Sequence, residues 1–238
     1  MCRASHRAGA GNGAGDPGRA MRRRLAPAEG GLRAVQQQVL RSFATTGRPP
    51  AASALAETAA RYGTTADAAL DALHAADFLR LAPGGEIRAA YPFSAVPTPH
   101  LVDIDGGPPV HAMCAIDALG IAAMLGTGVM IASADPCTGE PVTVTVHTGG
   151  TAAAWQPPTA VVLSGQLTSC GPGDAPAGAR PITAAEELCC GYMNFFTTHA
   201  SAAAWASAHP EVTGQILGQP AALHLGTGIF GHLLTGGS

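Results

Sequence analysis

The hydrophobic pattern of residues 31–92 begins with three predicted short helices. Apolar residues recur at helical spacing in the first of them, namely Leu32, Val35, Val39, Leu40 and Phe43. A second helix is predicted over residues 52–62, and a third over residues 65–76, with Thr64 or Thr65 as its cap. The first part of the chain is therefore predicted to be mainly helical.

A β-hairpin is predicted directly after the third helix. Strand-like segments at 78–81 and 86–88 are separated by Pro and Gly residues, which is typical of strand, turn and strand. Three helices followed by a hairpin form a winged helix–turn–helix, for which DNA binding is one interpretation and a structural or substrate-covering role is the other. Asp67 and Asp71 lie on the third helix, which has no Arg or Lys, so its charge favours the second interpretation.

Strand-like and helical patterns follow one another in residues 96–238. Strands are predicted at 100–104, 129–132, 142–146, 159–163 and 192–198. A short helix is predicted over residues 201–209, with Ser201 as its cap, and a last helix over residues 221–234, although it contains three glycines. This order predicts a mixed sheet with helices, and so an α+β protein overall.

Composition divides the chain into three predicted parts. Of its 238 residues, 47% are hydrophobic and 12% are charged, which is typical of a chain with a substantial core. Residues 1–30 are rich in Gly, Ala and Arg without periodicity and are predicted to be a disordered leader, with Met21 as an alternative start. The winged-helix-like module is predicted to cover residues 31–95, and the core residues 96–238.

Charge and hydropathy exclude several classes of partner. From residue 101 onward one Arg stands against nine acidic residues, which argues against a surface that binds nucleic acid. No apolar run is long enough to span a bilayer, and the N-terminus lacks the apolar segment of a secretory signal. The sequence therefore predicts a cytoplasmic protein that binds neither nucleic acid nor membrane and whose cysteines are reduced.

The candidate chemistry begins at Cys114 and Asp117. A turn over residues 105–109 precedes a predicted helix that ends near Gly126-Thr127-Gly128, and residues three apart on a helix share one face. A cysteine near a helix start can form a thiolate, which binds soft metals, although a buried Cys and a solvated Asp are the simpler interpretation. The adjacent Cys189 and Cys190 add two more thiols, and several thiols in an apolar domain suit mercury(II), copper(I) or zinc.

Residues 31–235 resemble the organomercurial (alkylmercury) lyases. The features that carry the resemblance are Cys114-Ala115-Ile116-Asp117, the turn at Cys137, Cys190 ahead of a Phe-Phe pair, and the Trp helix at 205–209. The resemblance implies a winged-helix-like module before a catalytic core, and cleavage of carbon–mercury bonds by protonolysis. It also implies that Cys114, Cys190 and Asp117 are the catalytic and mercury-binding residues, and that Cys137 is structural.

The implied mechanism agrees with the chemistry of these residue types. Two thiolates add electron density to mercury and weaken its bond to carbon, which must be protonated as it leaves. A carboxyl group in an apolar pocket has a raised pKa and can relay that proton. Cys114 and Cys190 are expected to pass protons to Asp117, which then protonates the carbon and helps to hold the mercury(II) product.

The second thiol has two candidates because Cys189 and Cys190 are adjacent. If both lie in a strand, their side chains point to opposite faces, and only one can face Cys114. In the family the catalytic cysteine lies five positions before the Phe-Phe pair, which favours Cys190 over Cys189. Cys189 is then expected to be a buried filler or a thiol that passes mercury(II) onward.

Two other functions are compatible with these residues. The main alternative is a mercury- or copper-binding carrier or sensor that does not cleave its ligand, and a metal-responsive transcription factor is the third. The lyase is expected to need no added cofactor, to retain mercury(II) as a bound product, and to need an external thiol for turnover. Its expected partners are organomercurial small molecules, cytosolic thiols and a mercuric reductase that accepts the product.

Overall fold

A computed structural model describes residues 27, 30–168 and 185–234 of the chain. Within these residues it has seven α-helices and eleven strands, so the predicted α+β class is confirmed. The predicted leader, apart from Pro27 and Gly30, lies outside the described residues, and so does Cys170, a further cysteine whose role the sequence leaves open. No helix in the described ranges combines the length and the apolar character that crossing a membrane requires.

Three N-terminal helices form as the periodicity predicts. Their bounds are α1 Gly30–Thr46, α2 Ala52–Ala60 and α3 Ala66–Ala75. Thr65 is the cap of α3, because its hydroxyl accepts a hydrogen bond of 3.2 Å from the Ala68 N–H. The apolar positions of α1, such as Val35 and Phe43, are fully buried, as the helical spacing predicts.

The predicted hairpin forms, and its second strand continues into a larger antiparallel sheet. Eight strands of the described part pair in the order β1-β2-β3-β5-β4-β6-β7-β8. Their bounds are β1 Leu79–Leu81, β2 Ile87–Ala90, β3 Phe93–Ser94, β4 Leu101–Ile104, β5 Val110–Ala112, β6 Val129–Ala134, β7 Pro141–Val146 and β8 Ala153–Gln156. Phe43 of α1 stacks on Phe93 of β3, so α1 packs directly on the sheet. Whether the module is a winged helix stays a prediction.

One helix is buried on nearly every side at the centre of the core. This helix, α4 (Ala115–Leu125), ends at Gly126 in the left-handed conformation, as the sequence predicts. It packs on the last helix, α7 (Gln219–Phe230). The predicted bounds of 221–234 for that helix are wrong at both ends. A Cβ on Gly226 would lie 2.8 Å from the Ile116 carbonyl oxygen, so this glycine permits the close approach of α7 to α4.

Three strands from the C-terminal part of the chain form a second antiparallel sheet. Its order is β10-β9-β11, with β9 Val161–Leu167, β10 Met193–Phe196 and β11 Val212–Leu217. The single-turn helix α5 (Ala185–Leu188) precedes β10, and α6 (His199–Ala208) follows it. The predicted cap of α6 is wrong: Thr198, not Ser201, accepts the capping hydrogen bond, which the Ser201 N–H donates at 3.1 Å.

Candidate mercury site

Cys114 and Asp117 lie at the start of α4. Cys114 is the residue just before the helix, with extended backbone angles, and its sulfur accepts a hydrogen bond of 3.4 Å from the Asp117 N–H. Thus Cys114 takes the capping role that a Ser or Asp usually fills. Both side chains are fully buried, and Asp117 lies in the first turn, where the helix dipole favours negative charge.

Cys190 begins a 3-10 turn, Cys190–Tyr192, that leads into β10. The predicted strand over residues 192–198 is therefore too long at both ends, and neither adjacent cysteine lies in a strand. Alternating strand faces therefore do not decide which of the two thiols faces Cys114. Instead, the Cys189 thiol points back along α5 and donates a hydrogen bond of 3.4 Å to the Ala185 carbonyl.

Three potential metal ligands meet where α4 faces this turn. One sulfur each from Cys114 and Cys190 and a carboxylate oxygen of Asp117 all lie within 4.8 Å of one another, and all three side chains are buried. The Cys114 thiol also donates to the Met193 sulfur at 3.8 Å. Two thiols and one carboxyl group form a donor set that suits a soft cation and also contains exchangeable protons.

A cavity of about 300 Å³ opens beside Cys190. Its apolar wall includes Val96, Pro97, Pro99 and Met113, and its polar wall includes Arg88, Glu186 and Asn194. Its lining includes Cys190 but neither Cys114 nor Asp117. A ligand that enters this cavity would therefore meet the Cys190 sulfur before the two groups on α4.

His100, which the sequence analysis did not single out, lies against the same cavity. Its side chain is buried, hydrogen-bonds to the Ser133 hydroxyl at 2.9 Å, and packs edge-on against Phe195. Burial lowers the pKa of His100 to about 4, although a hydrogen bond with Asn194 and the nearby Cys190 act in the opposite direction. The imidazole is therefore neutral at neutral pH. The one feature of the sequence that could have indicated this histidine is its place at the start of the strand predicted at 100–104.

Cys137 is exposed and does not belong to the ligand group. It lies in a turn held by the buried Asp135, whose carboxylate accepts a 2.8 Å hydrogen bond from the Cys137 N–H. Burial opposes the ionisation of Asp135, but hydrogen bonds from Thr197, Ser201 and Cys137 outweigh it, and the pKa of Asp135 lies below its usual value. Cys137 thus lies apart from the three grouped side chains, and its structural role stays a prediction.

Comparisons with known proteins agree with the chemistry of this site. The family model MerB, described as alkylmercury lyase, matches residues 93–231, a segment that contains all three grouped side chains. Alkylmercury lyases from Streptomyces lividans and Staphylococcus epidermidis are 34% and 35% identical to this chain over 140 and 123 residues. These alignments cover 59% and 51% of this chain, and 58% and 50% of the two relatives.

The fold comparison covers more of the chain. A solved structure titled "Crystal structure of the mercury-bound form of MerB2" superposes with a TM-score of 0.70 at 22% identity. The superposition covers 92% of this chain and 99% of that one, so the whole fold is similar. Because the family model also spans more than half of the sequence, this chain belongs to the alkylmercury lyase family.

Proposed function

We propose that this chain is an organomercurial lyase that cleaves carbon–mercury bonds by protonolysis and yields a hydrocarbon and mercury(II). The observation that carries the proposal is the group of Cys114, Asp117 and Cys190, whose ligand atoms lie within 4.8 Å of one another. Membership of the alkylmercury lyase family supports the same chemistry. The named relatives extend beyond the aligned segments, so the activity is proposed for this chain from its own residues.

Capture of the metal would begin at the cavity. An organomercurial that arrives as a complex with a small thiol meets Cys190, which replaces that thiol on mercury. Cys114, whose sulfur lies in the same group, then becomes the second ligand. Mercury(II) prefers sulfur donors, and the buried surroundings exclude competing water from these ligands.

The two cysteine protons account for both leaving groups. One proton leaves with the small thiol that the first cysteine displaces. The other passes from the second thiol to the Asp117 carboxylate and from there to carbon, as the carbon–mercury bond breaks and its electron pair forms the new carbon–hydrogen bond. The products are a hydrocarbon and mercury(II) bound by Cys114 and Cys190, with Asp117 beside it.

Turnover would require no added cofactor, since the chain supplies both the ligands and the proton relay. An external thiol is needed to remove mercury(II) from the two cysteines, and a mercuric reductase is the proposed acceptor in the cytoplasm.

In this proposal residues 96–238 form the catalytic core, and residues 31–95 form a winged-helix-like module with a structural role rather than a DNA-binding one.

The proposal is tested by incubating the protein with phenylmercury and excess thiol and measuring benzene release. We expect wild type to release benzene, and Asp117→Ala to lose turnover while it still binds mercury(II) through both sulfurs. Asp103→Ala on β4 is the matched control and is expected to retain activity. Full activity of Asp117→Ala would contradict the proton relay, whereas mercury binding without benzene from wild type would favour a carrier or sensor.

A further inference from the structure

Helix α5 has only four residues, yet it directly precedes the two adjacent cysteines. A single helical turn is not stable by itself, so contacts with the rest of the molecule must fix its position. The turn continues through the backbone, because the Cys189 N–H donates to the Ala185 carbonyl at 2.9 Å and the Tyr192 N–H donates to the Cys189 carbonyl at 2.9 Å. The position of Cys190 therefore depends on where α5 begins.

Two buried side chains from the N-terminal part of the chain bind the first N–H groups of α5. The Asp77 carboxylate accepts a hydrogen bond of 2.9 Å from the Ala185 N–H, across 108 residues of sequence. The Tyr91 hydroxyl accepts a hydrogen bond of 3.1 Å from the Glu186 N–H and donates to the other Asp77 oxygen at 3.2 Å. Together they bind two donors that a helix start leaves without intrahelical partners.

The backbone of Asp77 has a conformation that few residues other than glycine adopt. Asp77 has a φ of +59°, in the left-handed region that Asp tolerates better than most residues, and its side chain is buried. The preceding helix and the hairpin thus present a preformed acceptor to α5.

Ion pairs from the hairpin reinforce the same contact. Arg88 on β2 lies 3.0 Å from a carboxylate oxygen of Glu186, and Arg80 on β1 lies 3.6 Å from Glu187. These pairs are partly exposed, so each contributes little alone. They show that polar side chains from the hairpin contact α5 at several points.

We propose that Asp77 and Tyr91 are positioning residues that hold α5 so that the Cys190 sulfur lies within reach of Cys114 and Asp117. The inference rests on the proposed function and assigns a task to the N-terminal module, which is to set the separation of the two thiols. Asp77 and Tyr91 touch neither mercury nor the reacting carbon.

The test compares Asp77→Ala with Asp77→Asn in single-turnover cleavage of phenylmercury. Asp77→Ala removes both acceptors, and misplacement of a reacting group by about 1 Å can lower a rate by about 10²-fold. We expect a rate loss of that order, and recovery of most of the rate in Asp77→Asn, since an amide can accept from Ala185 and donate to the Tyr91 oxygen. Tyr91→Phe should lie between them.

A control separates positioning from general destabilisation. Leu55→Ala removes a buried side chain from α2, in the same module, without changing a group that hydrogen-bonds to α5. All variants are assayed well below their measured Tm. An unchanged rate in Asp77→Ala would overturn the inference, as would an equal rate loss in Leu55→Ala at a matched decrease in Tm.

A second measurement does not depend on catalysis. Mercury(II) is added to each variant, its thiolate absorbance is recorded, and a small dithiol is used as competitor. Asp77→Ala should release mercury(II) to the dithiol at least about tenfold more readily than wild type or Asp77→Asn, because bidentate capture needs both sulfurs in place. If wild type gives no benzene, the lyase proposal fails, and this competition still tests the position of Cys190. Equal retention by Asp77→Ala and wild type would overturn the inference.

Discussion

The two halves of the candidate site are held by different physical interactions. Cys114 caps α4 and Asp117 lies in its first turn, and this helix is buried on nearly every side and packs closely against α7. Cys190 follows a single-turn helix, and hydrogen bonds and ion pairs from the N-terminal part of the chain hold that helix. One half is thus fixed by apolar packing and the other by polar contacts beside an open cavity.

This difference agrees with the tasks proposed for the two halves. Shielding from water keeps the proton of a relay from side reactions, and Asp117 is fully buried. Capture and release of the metal require a thiol that a ligand can reach, and Cys190, although buried, lines the cavity. We infer that packing keeps the proton relay rigid, while the polar half admits the substrate and the thiol that removes the product.

The largest expected effect distinguishes the adjacent thiols. Cys190→Ser removes the sulfur that belongs to the ligand group, so benzene release from phenylmercury should fall to background. Cys189→Ser changes a thiol that hydrogen-bonds to Ala185, and a hydroxyl can make the same bond, so most activity should remain. The matched pair changes one atom at each of two neighbouring positions.

The opposite result would move the second ligand by one residue. Loss of activity in Cys189→Ser with retention in Cys190→Ser would mean that the turn before β10 changes its register when mercury binds. Equal loss in both would mean that all three thiols handle the metal.

Acid should destabilise the cavity half through His100. Its pKa is about 4 in the folded protein and about 6.5 when unfolded, so the unfolded chain binds more protons between these values. The folded state, in which His100 is buried and neutral, keeps its full stability with respect to this group above pH 6.5. Between pH 6.5 and 4 the free energy of unfolding falls by about 3 kcal/mol. Asp135, whose pKa is lowered, adds its own loss below its ordinary pKa of 3.8.

Urea unfolding at several pH values between 7 and 4.5 measures this effect. His100→Gln should show a much weaker dependence of unfolding free energy on pH than wild type. His147→Gln, at an exposed position after β7, is the control and should behave as wild type does. A pH dependence that His100→Gln leaves unchanged would contradict the assignment.

The apolar half was easier to predict from the sequence than the polar half. The turn before Cys114 and the glycines that begin at Gly126 bounded α4, because each is a local signal. The spacing also predicted that Cys114 and Asp117 would be close, and this prediction is confirmed. The resemblance placed Cys190 in the same group, where the structure has its sulfur.

The polar half depends on contacts between residues far apart in sequence. No local pattern links Asp77 to Ala185, and the predicted strand began at Tyr192, which instead closes the turn that starts at Cys190. Short strands such as β3 and β5 were not predicted, since two or three residues cannot show an alternating pattern. His100 was not singled out because its burial follows from its tertiary neighbours Ser133 and Phe195.

The smallest expected effect concerns how closely α4 and α7 pack. A Cβ on Gly120 of α4 would meet the Phe230 ring and lie 2.7 Å from the Gly226 carbonyl oxygen, whereas a Cβ on Gly228 of α7 would meet nothing within 4 Å. Gly120→Ala should therefore lower the free energy of unfolding by about 1–3 kcal/mol through overpacking. Gly228→Ala should raise it by about 0.5–1 kcal/mol, because alanine favours a helix interior over glycine. Urea unfolding midpoints measure both changes. The test lies in the opposite signs of the two changes rather than in their sizes. If both substitutions stabilise the protein, α4 can move away from α7. Close packing would then not fix the half of the site that contains Cys114 and Asp117.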